Sequence, residues 1–245
     1  MASSEDRLNT KMNPSADKTA SKRHRTLLRV GLSVALGGFL MGFDASVISG
    51  VVRFIRPEFA LSDLQLGWAV GALTLTATLG MLTAGPLSDR IGRRAVLVLA
   101  AVLYAVSALA SALAVDVTTF VIARMIGGLG VGASLIVGPM YLAEIAPPES
   151  RGRLVSLNQL NIVIGISVAF FSNYVLLQLA GSAADWVTLI GLDREVWRWM
   201  LGIETLPAVL FLIALGFVPQ SPRWLLMKGK TKEAANTLAM LYPPP

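Results

Sequence analysis

The chain has 245 residues, of which 54% are hydrophobic and only 15% charged, with a mean hydropathy of +0.65 and a formal net charge of +6. Soluble domains carry nearer a quarter of their residues as charges, so this composition predicts a membrane protein, with length for roughly six or seven spans and too little for twelve. Cysteine is absent and the only histidine is His24, which excludes disulfides, thiolate chemistry, zinc sites and His-based triads, and with them most enzymes.

In chain order, residues 1–27 form a polar tail without the apolar core and cleavage site of a signal peptide, which leaves the N-terminus on the side of synthesis. Apolar windows long enough to cross a bilayer follow at 28–50, 66–88, 94–114, 117–142, 154–180 and 197–218. Six crossings from a cytoplasmic N-terminus put the basic residues of the tail, of the second-to-third loop (Arg90, Arg93, Arg94), of the fourth-to-fifth loop (Arg151, Arg153) and of the C-terminal segment 219–245 on the inside. Only Arg53, Arg56, Arg194 and Arg198 fall outside. This asymmetry follows the positive-inside rule and predicts a multi-pass protein of a plasma or inner membrane. It also accounts for the pI of about 10.0 without a nucleic-acid partner.

Three ionisable residues lie within the spans: Asp44, Arg124 and Glu204. Each is costly in hydrocarbon and is a functional hypothesis by default. Counted from the predicted outer ends, all three lie six or seven residues deep, roughly 10 Å at ~1.5 Å per residue, so two acids and a base share one layer. Two readings follow: a buried ion pair that holds helices in register, or a proton relay in which Asp44 exchanges a proton and thereby releases Arg124.

The run GGLGVG (Gly127 to Gly132) follows no strand and lies inside a span, which removes a dinucleotide fingerprint. Its GxxxG pair, Gly128 and Gly132, predicts close helix approach, as do Gly37, Gly38 and Gly42 on the first helix and Gly67, Gly71 and Gly80 on the second. The segment GPLSDRIGRR (Gly85 to Arg94) sets Asp89 among three arginines in a short turn. An acid at a helix end beside arginines can exchange partners at modest cost, which suits a gate.

GPLSDRIGRR resembles the loop signature G-x-x-x-D-R-x-G-R-R of the major facilitator superfamily. GFDASVISG (Gly42 to Gly50), RMIGGLGVG (Arg124 to Gly132), PMYLAEIAPPESRGRLVSLNQL (Pro139 to Leu160) and PQSPRWLLMKGK (Pro219 to Lys230) narrow the resemblance to the sugar porter family, from about residue 30 to the C-terminus. The resemblance implies an all-α membrane fold: the N-terminal six-helix bundle over 28–218, then a short cytoplasmic helix at the start of an inter-bundle linker. It implies sugar/proton symport by alternating access, with the proton as coupling ion, no other cofactor, and a monosaccharide as substrate.

Position by position, Asp44 and Arg124 match the family's proton-coupling pair and Glu204 an acid near it. Gln159 matches a glutamine that hydrogen-bonds sugar hydroxyls; an interhelical hydrogen bond is the other reading of its amide. Asp89, Arg93, Glu144, Arg151 and Arg223 match a cytoplasmic salt-bridge gate. The chain departs from the family pattern at Gln220, where PESPR reads PQSPR and an acid is lost, and at Met41 and Ile166 near the sugar. An uncoupled sugar facilitator and a non-transporting sugar sensor remain as alternatives. The family has twelve helices and the sequence stops after KEAANTLAMLY and three prolines. The resemblance therefore predicts an N-terminal half whose partner is a second six-helix bundle, ahead of a homodimer of six-helix chains.

Overall fold

A computed structural model describes residues 14–148, 150–182 and 184–241. Arg7, Lys11 and the terminal prolines lie outside these residues. The described chain contains helices α1 (Pro14–Glu58), α2 (Asp63–Ile91), α3 (Arg93–Ala112), α4 (Val117–Ile145), α5 (Arg151–Ala180), α6 (Asp185–Leu189), α7 (Val196–Gly202), α8 (Thr205–Gly216), α9 (Pro222–Met227) and α10 (Thr231–Leu241), and no strand. Six of its segments are long and apolar enough to cross a membrane: Arg25–Glu58, α2, α3, α4, α5, and Val196–Gly216, which joins α7 and α8.

Local chemistry sets several of the boundaries. Ser62 caps α2 and Asp116 caps α4, each with a reciprocal capping box, to Gln65 and to Thr119. One residue, Gly92, turns α2 into α3 at φ 99°, a conformation that L side chains rarely adopt. Ser221 caps α9, with Pro222 in the first turn, where its missing N–H costs nothing. The first span differs from its predicted window: α1 runs past Gly50 to Glu58, carrying the exposed Arg53 and Arg56 on its last turns. The sixth span differs too. It breaks between Gly202 and Thr205 because Pro207 cannot donate to the carbonyl of Ile203, which accepts instead from Leu206 N at 3.1 Å in a tighter turn.

Close backbone contact holds the bundle together in two places. A Cβ on Gly132 would lie 2.0 Å from the carbonyl oxygen of Ala77, and one on Gly128 would lie 2.3 Å from that of Leu73, so α2 sits against α4. Likewise a Cβ on Gly42 would meet Ile162 O at 2.0 Å and one on Gly165 would meet Phe39 O at 2.1 Å, which seats α1 on α5. In lipid, where no hydrophobic force drives helices together, such approach supplies the packing. Gly67 and Gly71 do not share this role. Nothing lies within 4 Å of a Cβ built on either, because their face of α2 is turned outward.

Two apolar clusters fill the interior. One surrounds Leu40, Tyr104, Tyr141, Leu142 and Phe211 toward the end of the bundle that carries the N-terminus. The other surrounds Val47, Phe120, Trp197 and Met200 toward the far end, where Phe59 and Phe120 each meet Trp197 edge-on at centroid distances of 5.8 and 6.4 Å. Arg198 closes that end by donating to Ala112 O and Ala114 O at 2.9 and 2.7 Å, at the C-terminal end of α3 and just past it.

Candidate functional site

Asp44 on α1, Arg124 on α4 and Glu204 at the α7–α8 break are each 2% exposed. Arg124 Nη1 donates to Asp44 Oδ1, joining helices 80 residues apart in sequence. Glu204 lies beside this pair, close enough to interact with both charges. The pairing is incomplete: Asp44 Oδ2 and Arg124 Nε are buried without a donor or acceptor of the ordinary kind, and the Glu204 carboxyl stands within hydrogen-bond reach of the Asp44 carboxyl. A buried charge pair is well compensated only when its remaining lone pairs and protons are also bonded. This one keeps an open donor on the base and sets a second acid against the first. Tyr104 OH and Ser134 Oγ, 3.1 Å apart, form a neutral polar pair that reaches the same layer from α3 and α4.

A second charged cluster lies toward the N-terminal end. Arg93, 3% exposed, starts α3 directly after the Gly92 turn. Its Nε donates to both oxygens of Glu144 at 3.3 and 3.1 Å, its Nη2 to Glu144 Oε1 at 3.0 Å, and its Nη1 to Ser88 O at 3.2 Å. Asp89 adds an ion pair to Nη1 at 2.8 Å from a side chain that is 59% exposed. Glu144 also accepts from Ser221 Oγ, and Trp224 Nε1 donates to Asp89 O at 3.1 Å, so α9 is tied to the α2–α3 turn and to α4. Tyr141 OH reinforces the junction by donating to Pro219 O at 2.8 Å, and Arg94 donates to Leu215 O and Gly216 O, both at 3.0 Å, at the end of α8.

Of the residues singled out from the sequence, the structure brings together Asp44, Arg124 and Glu204 in one place and Asp89, Arg93 and Glu144 in another. Arg151 and Arg223 are exposed and join neither cluster; among the described residues they make no ion pair. Gln159 is exposed on α5, while its neighbour Asn158 is buried against Gly38. Gln220 stands over the Gly92 turn, its Oε1 buried and unpartnered and 2.9 Å from where a Cβ on Gly92 would be. Sequence reasoning missed Ser221 and Trp224. Ser221 carried a signal, since a serine followed by proline marks a helix start, but nothing in the sequence showed that its hydroxyl would also reach Glu144.

The sequence matches the family described as "Sugar (and other) transporter" over residues 30–244. It is 40% identical over 232 residues to the arabinose-proton symporter of Bacillus subtilis, a match that covers 95% of this chain and 48% of that protein. It is also 40% identical over 228 residues to the glucose transport protein of Synechocystis, covering 93% and 48%. With the D-xylose-proton symporter of Escherichia coli it shares 38% over 239 residues, covering 86% and 47%. Among solved structures, the proton:xylose symporter XylE bound to 6-bromo-6-deoxy-D-glucose superposes with a TM-score of 0.81 at 36% identity, covering 89% of this chain and 50% of the other. The chain thus spans about half the length of these relatives. It belongs to the sugar transporter family of the major facilitator superfamily, as a multi-pass membrane protein built on that family's N-terminal six-helix bundle.

Proposed function

We propose that this bundle is one half of a sugar/proton symporter that works by alternating access, rocking against a second six-helix bundle around a monosaccharide held near the membrane midplane. The observation that carries the reading is the under-coordinated Asp44–Arg124 pair with Glu204 beside it. Protonation of Asp44 removes its charge and frees Arg124 from α1; Glu204 offers the guanidinium a second acid on the sixth span. The interhelical contact between α1, α4 and the sixth span then depends on the proton, as coupling requires. Two of the relatives are named as proton symporters, of arabinose and of xylose, which supports the same reading.

In this proposal Gln159 presents its amide to sugar hydroxyls from the exposed face of α5, and Asp89, Arg93 and Glu144 hold the N-terminal end closed, with Arg151 and Arg223 available to the other bundle. That end faces the cytoplasm of a plasma or inner membrane, following the distribution of basic residues. The proton is the coupling ion. A second reading, uncoupled facilitation with Asp44–Arg124 as a structural pair, draws on relatives named simply for glucose transport. Sugar accumulation in proteoliposomes of the two-bundle transporter, driven by an imposed pH gradient, separates the two. Coupling requires accumulation above equilibrium that Asp44→Asn abolishes; accumulation that Asp44→Asn leaves unchanged removes the assignment, and equilibration insensitive to the gradient favours facilitation.

A further inference from the structure

At the N-terminal end of the bundle, α1 and α5 part around a groove of about 600 Å³ whose walls include Leu27, Leu28, Arg153, Leu154, Leu157 and Leu160. Leu28 and Leu160 are 37% and 53% exposed, so the groove opens outward. Arg25 precedes Leu28 by one helical turn and Arg29 adjoins it, and both are exposed, as is Arg153. None of the three makes an ion pair with an acid among the described residues. Gln159 does not line the groove; Arg153, six positions before it, lies about 120° from it around α5 at 3.6 residues per turn.

We propose that this groove binds one anionic phospholipid: an acyl chain lies against Leu28, Leu157 and Leu160, and the headgroup phosphate is held by Arg25, Arg29 and Arg153. Charge complementarity selects this occupant. From Arg153 to Leu160 the wall runs from basic to apolar over roughly 10 Å at ~1.5 Å per residue, the order of polarity that a lipid presents from phosphate to chain. Arg153 lines the groove and Arg25 and Arg29 stand on α1 beside Leu27 and Leu28, none of them in an ion pair among the described residues; such guanidinium groups favour net negative charge over a zwitterionic headgroup and bind phosphate oxygens bidentately. A protein helix laid in the same groove would have to bring acids to its rim to match them. The inference does not depend on proton coupling, because lipid retention is read without any transport.

The test is native mass spectrometry of the purified transporter after exposure to equal amounts of phosphatidylglycerol and phosphatidylcholine with the same acyl chains. Preferential retention of phosphatidylglycerol is expected, falling about fivefold for each arginine removed in Arg25→Gln and Arg153→Gln. Leu157→Trp, which fills the groove without changing its charge, is expected to lower retention as well, and Arg194→Gln at the far end to leave it unchanged. Equal retention of the two lipids overturns the proposal. So does phosphatidylglycerol retention that survives both Arg153→Gln and Leu157→Trp, or the absence of both lipids, the outcome expected if a second bundle covers the groove. Unchanged sugar uptake in Arg153→Gln would show that the variant folds.

Discussion

Arg124 and Arg93 are almost equally buried, at 2% and 3% exposure, and each meets a buried carboxylate from another helix. Their coordination differs. Arg93 uses Nε, Nη1 and Nη2, against Glu144, Ser88 O and Asp89, while Glu144 is further bonded by Ser221. Arg124 offers Nη1 to Asp44 and keeps Nε open, with Glu204 a second acid against Asp44. A buried guanidinium with a full set of acceptors fixes the elements around it; one with open sites near two acids can redistribute its bonds at smaller cost. The first arrangement suits a clasp and the second a switch.

The largest expected effect tests the switch. Asp44→Asn keeps the size of the side chain and a carbonyl acceptor for Arg124 but removes the exchangeable charge. We expect gradient-driven sugar accumulation to fall to equilibrium while the thermal unfolding midpoint changes less than in the clasp variant described next. Loss of stability without loss of accumulation would reverse the comparison and make Arg124 the structural site.

Arg93→Ala tests the clasp. It strands Glu144, whose side chain is 5% exposed, with the Ser221 hydroxyl as its remaining partner. Removing one member of a buried pair costs about 3–5 kcal/mol, and calorimetry or chemical denaturation of the purified protein would read it. Arg93→Lys keeps the charge and loses the fork that grips both oxygens of Glu144, so it is expected to recover only part of the loss. Near-neutral behaviour of Arg93→Ala would mean that the cluster is dispensable to the fold.

How far these sites were legible follows from the same contrast. Charges inside spans must find partners, so Asp44, Arg124 and Glu204 could be grouped from the sequence, although α1 extends to Glu58 and the depth count from Gly50 used the wrong helix end. Helical rotation was not legible, which is why Gly67 and Gly71 were expected at an interface and lie open, while Gly128 and Gly132 on α4 are fully engaged. The Arg93 cluster sits at helix ends near loops, where charges have ordinary reasons to be. Only family resemblance singled out Glu144 as a partner, and Ser221 read as a cap alone. Pro207 signalled the break beside Glu204, but a window of hydropathy does not register a single missing N–H.

An intermediate effect should separate the two sites mechanically. Gly132→Ala places a Cβ 2.0 Å from Ala77 O and 2.7 Å from Met81 N, so α2 must move away from α4. Overpacking of this kind costs about 1–3 kcal/mol. Asp89 is on α2 and Glu144 on α4, so the shift strains the Arg93 cluster, whereas Asp44 and Arg124 join α1 to α4 and are spared. Gly132→Ala combined with Arg93→Ala should therefore cost less than the sum of the two, and Gly132→Ala combined with Asp44→Asn should be additive.

The smallest effect is expected at the exposed edge of the clasp. Asp89→Asn removes one carboxylate from Arg93 and nothing else that the cluster uses, because Trp224 bonds the backbone oxygen of residue 89 rather than its side chain. Arg93 keeps Ser88 O and both oxygens of Glu144. The lost partner is 59% exposed, so water already screens it, and its removal should cost no more than about 1 kcal/mol, with a loss that shrinks further at high salt. The buried Arg93–Glu144 contact has no such salt dependence. Titrating stability against ionic strength in Asp89→Asn and in Arg93→Ala therefore distinguishes the two halves of the clasp. A salt-insensitive loss in Asp89→Asn as large as that in Arg93→Ala would show that the exposed acid and the buried one act as a single unit, so that the clasp could not open by releasing Asp89 first.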